Sequence, residues 1–302
     1  MIPLIRRIMG KAGPFIGLLL VIGLFAIPEE TRAHFLSYHN FKIILTQTVI
    51  VSVGALGMTL IIVSGAIDLS VGSTVALSGV IAALLILRGW GPAATTLAAI
   101  GVGGLIGLLN GSAVAWLRMP SFIITLGMLG VGRGTAKWLA ENQTVNYDSS
   151  PINGWMTTAN PNGGALPAGV WVAIALAAAT SLVLRKTVFG RHVFALGSNE
   201  AAARLCGVPT VRLKVLVFAI AGCFFGLSGV FQLSRLRVGD PTVAVGLELD
   251  VIAAVIIGAL IMSVLRNGSQ QMGWPNYFQE IIIGLVIIAA VFLDRFRRGG
   301  KA

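Results

Sequence analysis

Apolar runs of about 20 residues, the length that crosses the roughly 30 Å hydrocarbon core of a bilayer, recur along this chain and constrain its fold more than any other feature. They cover 12–27, 43–64, 70–87, 93–117, 120–139, 168–184, 215–234, 250–266 and 278–293. Between them stand residues that stop a helix or favour a turn: Pro28, Asp68-Leu69-Ser70, Gly89-Trp90-Gly91-Pro92, Met119-Pro120 and Gly239-Asp240-Pro241. Only 11% of the 302 residues are charged, where an ordinary soluble domain carries about 25%. So little charge cannot clothe a water-facing surface, so the apolar surface must face lipid. The expected class is an all-α polytopic membrane protein, with residues 1–302 forming a single transmembrane domain.

A net charge of +11 would suit nucleic acid, but the placement of the basic residues excludes it. They cluster between apolar runs: Arg6, Arg7 and Lys11; then Arg185, Lys186, Arg191, Arg204, Arg212 and Lys214; then Arg295, Arg297, Arg298 and Lys301. This is the positive-inside pattern of cytoplasmic segments, and it places both termini in the cytoplasm. The polar stretch 140–168 holds Glu141 and Asp148 and no Lys or Arg, so it belongs outside. The basic start followed by an apolar run looks like a secretory signal; with no small-x-small cleavage site before Glu29-Glu30, it reads as an uncleaved first span. Cys206 and Cys223 have no metal-site or disulfide spacing.

Nine spans would separate the two basic termini, and internal similarity supplies the correction. "GLLNGSAVAWLRMPSFIITLGML" has a counterpart in "SVLRNGSQQMGWPNYFQEIIIGLVI", and "DLSVGSTVALSGVIAALLI" in "DPTVAVGLELDVIAAVIIG". The two offsets, 157 and 171, make the second repeat about 14 residues shorter, with the shortfall near Gly258-Ala259. Restoring that turn gives ten spans, with spans 2–5 and 7–10 as inverted repeats, a transporter signature.

Within the basic loop 185–214, Ser198 and Asn199 suit an N-cap, Glu200 suits the positive end of a helix dipole, and Gly207 with Pro209 stops a helix. A two-turn helix outside the membrane is expected, as a plain connection or as a docking element. The segment "ALGSNEAAARLCGV" resembles the loop of ABC permeases for ribose, xylose, arabinose and galactosides, as do "GMTLIIVSGAIDLSVGSTVALSG" and "GLELDVIAAVIIG" elsewhere; the likeness runs from about 41 to 295. In that family the stretch after "AVIIG" continues through a Gly- and Ser-rich turn that this chain lacks. The resemblance implies a bacterial inner-membrane sugar import subunit working as a dimer, homodimeric or with a paralogue. A separate ATP-binding cassette subunit would sit below and a periplasmic solute-binding protein above. It also implies a coupling helix at which Asn199, Glu200, Ala201, Ala202, Arg204 and Gly207 contact the ATPase.

Ionisable and polar groups at membrane depth are pathway candidates: Asp68, Ser70, Asn110, Gln232 and Asn267, with Asp240, Glu248, Asp250 and Gln279 nearby in the second repeat. Asp68 suits two roles, fixing an interrupted segment along the route or capping the next helix, and capping is the commoner use of a carboxylate there. Gly103-x3-Gly107-x3-Gly111, Gly130-x3-Gly134 and Gly222-x3-Gly226 fit close helix packing. Trp116, Trp138 and Trp171 fall at span ends as interfacial anchors. No HExxH, G-x-S-x-G or phosphate-loop motif occurs, so no catalytic role, metal or bound cofactor is expected, and any nucleotide must be bound by another chain. A gradient-driven secondary carrier and an inactive, shortened permease paralogue acting as a scaffold are the alternatives.

Overall fold

The computed structural model describes residues 17–157, 166–275, 277–282, 284–285 and 288. The first and last apolar runs extend beyond these residues. The described helices, in chain order, are α1 (Gly17–Ala26), α2 (Glu29–Phe35), α3 (Tyr38–Val63), α4 (Val71–Leu87), α5 (Pro92–Leu117), α6 (Ser121–Leu139), α7 (Ala168–Lys186), α8 (Val188–Ser198), α9 (Glu200–Leu205), α10 (Thr210–Leu236), α11 (Leu247–Ile257) and α12 (Ala259–Gln271). Among the described residues, α3, α5, α7 and α10 are long and apolar enough to cross a membrane.

Helix α3 starts where Ser37 accepts a hydrogen bond from the Asn40 amide. Its 26 residues would span about 39 Å, enough for the hydrocarbon core with some tilt. Helix α10, 27 residues long, lies at the centre of the protein against α3, α4 and α5. It meets α5 glycine to glycine: a methyl group on Gly103 would strike the Gly222 carbonyl, and one on Gly107 the Phe218 carbonyl. Bringing backbones this close replaces the missing hydrophobic drive between helices in lipid. Among the described residues, nothing approaches Gly130 or Gly134 in the same way, so the close packing within this chain is made by the glycines of α5 and α10.

The run 250–266, expected as one span, is broken. Gly258, with φ 107° and ψ 136°, ends α11 after 11 residues and starts α12, at the position where the sequence comparison puts its shortfall. The polar stretch after α6 folds back on the end of α10. Val145 and Asn146 pair with Val238 and Gly239 in a two-stranded ladder, and the Ser234 hydroxyl donates to the Ile152 carbonyl and accepts from the Met156 amide. Burial pushes the Tyr147 phenol there up to about 12. Trp116, Trp138 and Trp171 are exposed at helix ends, as interfacial anchors require.

Candidate functional site

The residues singled out by the sequence fall in or beside three features: the helix pair α8–α9, two non-helical segments, and a polar cavity. The pair follows α7. Thr187 caps α8 by accepting from the Gly190 amide, and α8 buries Gly190, Val193 and Leu196. The chain breaks at Asn199, whose extended backbone and side-chain oxygen, accepting from the Ala202 amide, start α9. Gly207 closes α9 at φ 82°: its amide donates to Arg204 and that of Val208 to Ala203, a Schellman arrangement that a residue with a Cβ adopts only under strain. The expected two-turn helix is thus present, preceded by the unexpected α8. Asn199, Ala201, Ala202, Arg204 and Gly207 are exposed, and Leu205 projects with 90% of its surface uncovered. Glu200 points back toward the protein, bonded to Lys214 Nζ at 2.7 Å and to Arg204 at 3.2 Å. These cations, Lys214 first, hold its carboxyl below the usual glutamate range. Where the two helices join, a methyl group on Gly197 would overlap the Val63 carbonyl, so the last turn of α8 rests directly on the end of α3.

Beyond that contact the chain runs without helical structure to α4. Asp68, fully buried, accepts through Oδ1 from the Ser70 amide at 2.7 Å and the Ser70 hydroxyl at 2.6 Å. Asn110 Nδ2 of α5 reaches Ser70 Oγ at 3.0 Å and Asp68 Oδ2 at 3.3 Å. Three expected pathway residues therefore converge in one sealed cluster, where Asp68 closes an Asx turn onto Ser70; Ser70 is the N-cap of α4 and α4 carries no side-chain cap bond, so the expected capping role of Asp68 is not made. The second interrupted segment, 240–246, repeats the turn: Asp240 Oδ1 accepts from the Thr242 amide and hydroxyl, both at 2.7 Å. It runs beside α4, with Gly239 against Val80 and Ala83 and the Ala244 carbonyl against Gly72.

Backbone groups outside helices lack intrahelical partners and must find others. Helix α6 supplies them to both segments. Ser121 and Thr125 accept from the amides of Ile67 and Leu69, each at 3.0 Å, and Arg133 donates to the carbonyls of Pro241 and Val243. Arg133 escapes a sequence reading because it lies inside an apolar run and its partners are remote in sequence.

The cavity, about 140 Å³, lies between α3, α10, α11 and α12. Gln47, Gln232, Arg235, Asp250, Ser263 and Arg266 line it, and Asp250 forms an ion pair with Arg266. Of the candidates expected from the sequence, Gln232 and Asp250 reach it. Asn267 is buried, 4% exposed, and is not among the lining residues. Gln47 comes from α3, Arg235 from α10, and Ser263 and Arg266 together from α12, and nothing in the sequence joins these three helices around one cavity. Among the described residues no cluster of His, Cys, Asp or Glu is arranged to hold a metal.

Residues 40–291 match the family described as branched-chain amino acid transport system / permease component. The chain is similar to the ribose import permease protein RbsC of Escherichia coli (strain K12), 34% identical with 92% of each chain covered. Against RbsC of Bacillus subtilis (strain 168) the identity is 34%, covering 95% of this chain and 94% of the relative. Against the L-arabinose ABC transporter permease protein AraH of Azospirillum brasilense it is 33%, covering 92% and 86%. No solved structure matches. With a family match over most of its length and relatives one-third identical almost end to end, this multi-pass membrane protein is a transport subunit rather than an enzyme, and it belongs to the permease-component family.

Proposed function

We propose that the chain is the membrane-spanning subunit of an ATP-driven importer and translocates a monosaccharide of the ribose or arabinose type. One observation carries this reading: the ribose and arabinose permeases match at about one-third identity over nearly their whole lengths. The protein sits in the bacterial inner membrane with both termini cytoplasmic, and two copies, or one copy and a paralogue, enclose the route. Ten spans arranged as inverted repeats suit this topology, and the matching turns at Asp68 and Asp240 support the repeat. The ATPase subunit docks on residues 185–214, with α9 as the coupling helix. Leu205 and the exposed face of Asn199, Ala201, Ala202 and Arg204 meet its groove, while Glu200 anchors α9 to Lys214. Motion at α9 passes through Gly197 to the end of α3. A periplasmic solute-binding protein docks near residues 140–168.

Purified permease in lipid discs, mixed with its ATPase subunit and binding protein, tests the proposal. Sugar-stimulated ATP hydrolysis is the expected result. Leu205→Asp and Gly207→Trp should abolish the stimulation while leaving the permease folded. Stimulation that persists in both variants would remove α9 from the coupling role, and no complex with the ATPase would overturn the importer reading itself.

A further inference from the structure

We infer that Arg133 is a positioning residue for transport: it latches the segment 240–246, one wall of the cavity between α3, α10, α11 and α12, and frees that wall when it exchanges the segment for Glu248. The role in transport rests on the reading above; the latch itself is argued from its atoms.

Residues 240–246 join α10 to α11 outside any helix. Their own bonds are short-range. The Asp240 carboxylate accepts from Thr242, its carbonyl accepts from the Val243 amide, and the Ala244 carbonyl accepts from the Leu247 amide. Among the described residues, the hydrogen bonds that tie the segment to another helix come from Arg133 alone, through one nitrogen, Nη1, to the carbonyls of Pro241 and Val243. The segment also has two occupied sides. A methyl group on Gly72 of α4 would strike the Ala244 carbonyl, while Ala244 and Val245 line the cavity.

A wall held in this way is built to move. Ala244 has a left-handed backbone, φ 59°, which a residue with a Cβ keeps only where its surroundings hold it. The hold acts on the residue before it, Val243. Two residues on, Gly246 at φ 78° turns the chain into α11 without that strain and supplies a hinge. The latch pairs a charge with neutral carbonyls, and an arginine gains more from a carboxylate. Glu248 and Asp240 are the acids whose charges act on Arg133, yet among the described residues neither is close enough to form an ion pair with it. Asp240 is engaged by Thr242. Glu248, in the first turn of α11, makes no side-chain hydrogen bond among the described residues, and its carboxylate lies against Gly72 beside the Ala244 carbonyl. It is the group that Arg133 takes up on letting the carbonyls go, which gives the segment two discrete states.

The test measures access to the cavity in the full chain in lipid discs, carrying Cys206→Ser and Cys223→Ser, with Ser263→Cys placed on the buried lining. A negatively charged methanethiosulfonate reagent then reads how often the wall opens. Adding Arg133→Met should speed labelling about tenfold, which is about 1.4 kcal/mol, the loss of one or two net hydrogen bonds. Arg133→Lys, whose ammonium also serves two carbonyls from one nitrogen, should restore the slow rate. Glu248→Gln should slow labelling about threefold where Arg133 is present and change nothing in Arg133→Met, because it acts only through the arginine. Val217→Cys, fully buried near the start of α10 and so at its far end from the segment, should label at one rate with and without Arg133. Equal rates at Ser263→Cys in the two backgrounds, or acceleration at both cysteines alike, would overturn the latch, and a Glu248→Gln effect that persists in Arg133→Met would overturn the exchange. The complete assembly tests its use. ATP and sugar should speed labelling of Ser263→Cys in the chain that keeps Arg133. A rate they leave unmoved, while the same assembly in vesicles takes up sugar, would overturn the role in transport and leave the importer reading standing.

Discussion

The turns at Asp68–Ser70 and Asp240–Thr242 make the same pair of hydrogen bonds in opposite surroundings. In each, one carboxylate oxygen accepts from the amide and hydroxyl two residues on. The first is sealed: Asp68 and Ser70 are fully buried, and Asn110 closes over them. The second lies at the surface, Thr242 exposed, with Arg133 gripping the carbonyls beside it. An Asp followed two residues later by Ser or Thr is enough to make the turn. Its energetic weight comes from the surroundings, since water can replace a lost bond at the surface and nothing can in the interior.

The sharpest break of this comparison is Asp68→Ala against Asp240→Ala. The first should destabilise the protein by about 3 kcal/mol or more, because the amide and hydroxyl of Ser70 and the amide of Asn110 all lose a buried acceptor. Asp68→Ser, which keeps an oxygen that can accept from the Ser70 amide, should recover part of that loss. Thermal unfolding in detergent, followed by intrinsic fluorescence, reads both. Equal losses at the two positions would mean that burial does not set the value of the turn. Arg133→Met should fall between them at about 2 kcal/mol, since it removes the donor that serves Pro241 and Val243 while their surroundings remain partly open. Asp240→Ala should cost about 1 kcal/mol or less.

The sequence makes the helices of this fold legible wherever an apolar run ends at a strong breaker. Pro92 opens α5 and Pro120 precedes α6, as their positions suggest. The Asn199 cap and the Gly207 stop mark α9 within one residue. Helix α8 was hidden by interleaved basic residues, although Gly190, Val193 and Leu196, all buried, carry a helical spacing that marks its inner face. The site divides in the same way. Asp68 and Ser70 are legible because their bonds are local. The cavity draws Gln47, Gln232, Asp250 and Ser263 from four helices, and an apolar run interrupted by one polar residue does not reveal which neighbour that residue faces. Arg133 illustrates the same point, since its partners lie more than 100 residues away.

Glu200 extends the comparison to an acid wholly outside the apolar runs, and it carries the smallest expected effect. Its carboxylate joins the start of α9 to Lys214 on α10, yet 39% of its side chain is exposed, so solvent screening limits the pair to a few tenths of a kcal/mol, about the value of an exposed ion pair. The folded state lowers the pKa of Glu200, chiefly through the hydrogen bond from Lys214. The unfolded state therefore binds the proton more readily, and the stabilisation is present in full above the ordinary glutamate value of about 4.3. It declines as pH falls below that value toward the lower folded one. Amide protection of residues 200–208 should then be greater in the parent than in Glu200→Gln at pH 7, with the difference closing in acid. A difference that persists unchanged to the lowest pH at which the protein stays folded would show that α9 is held by its Asn199 cap and Gly207 closure alone, with no share for the charge.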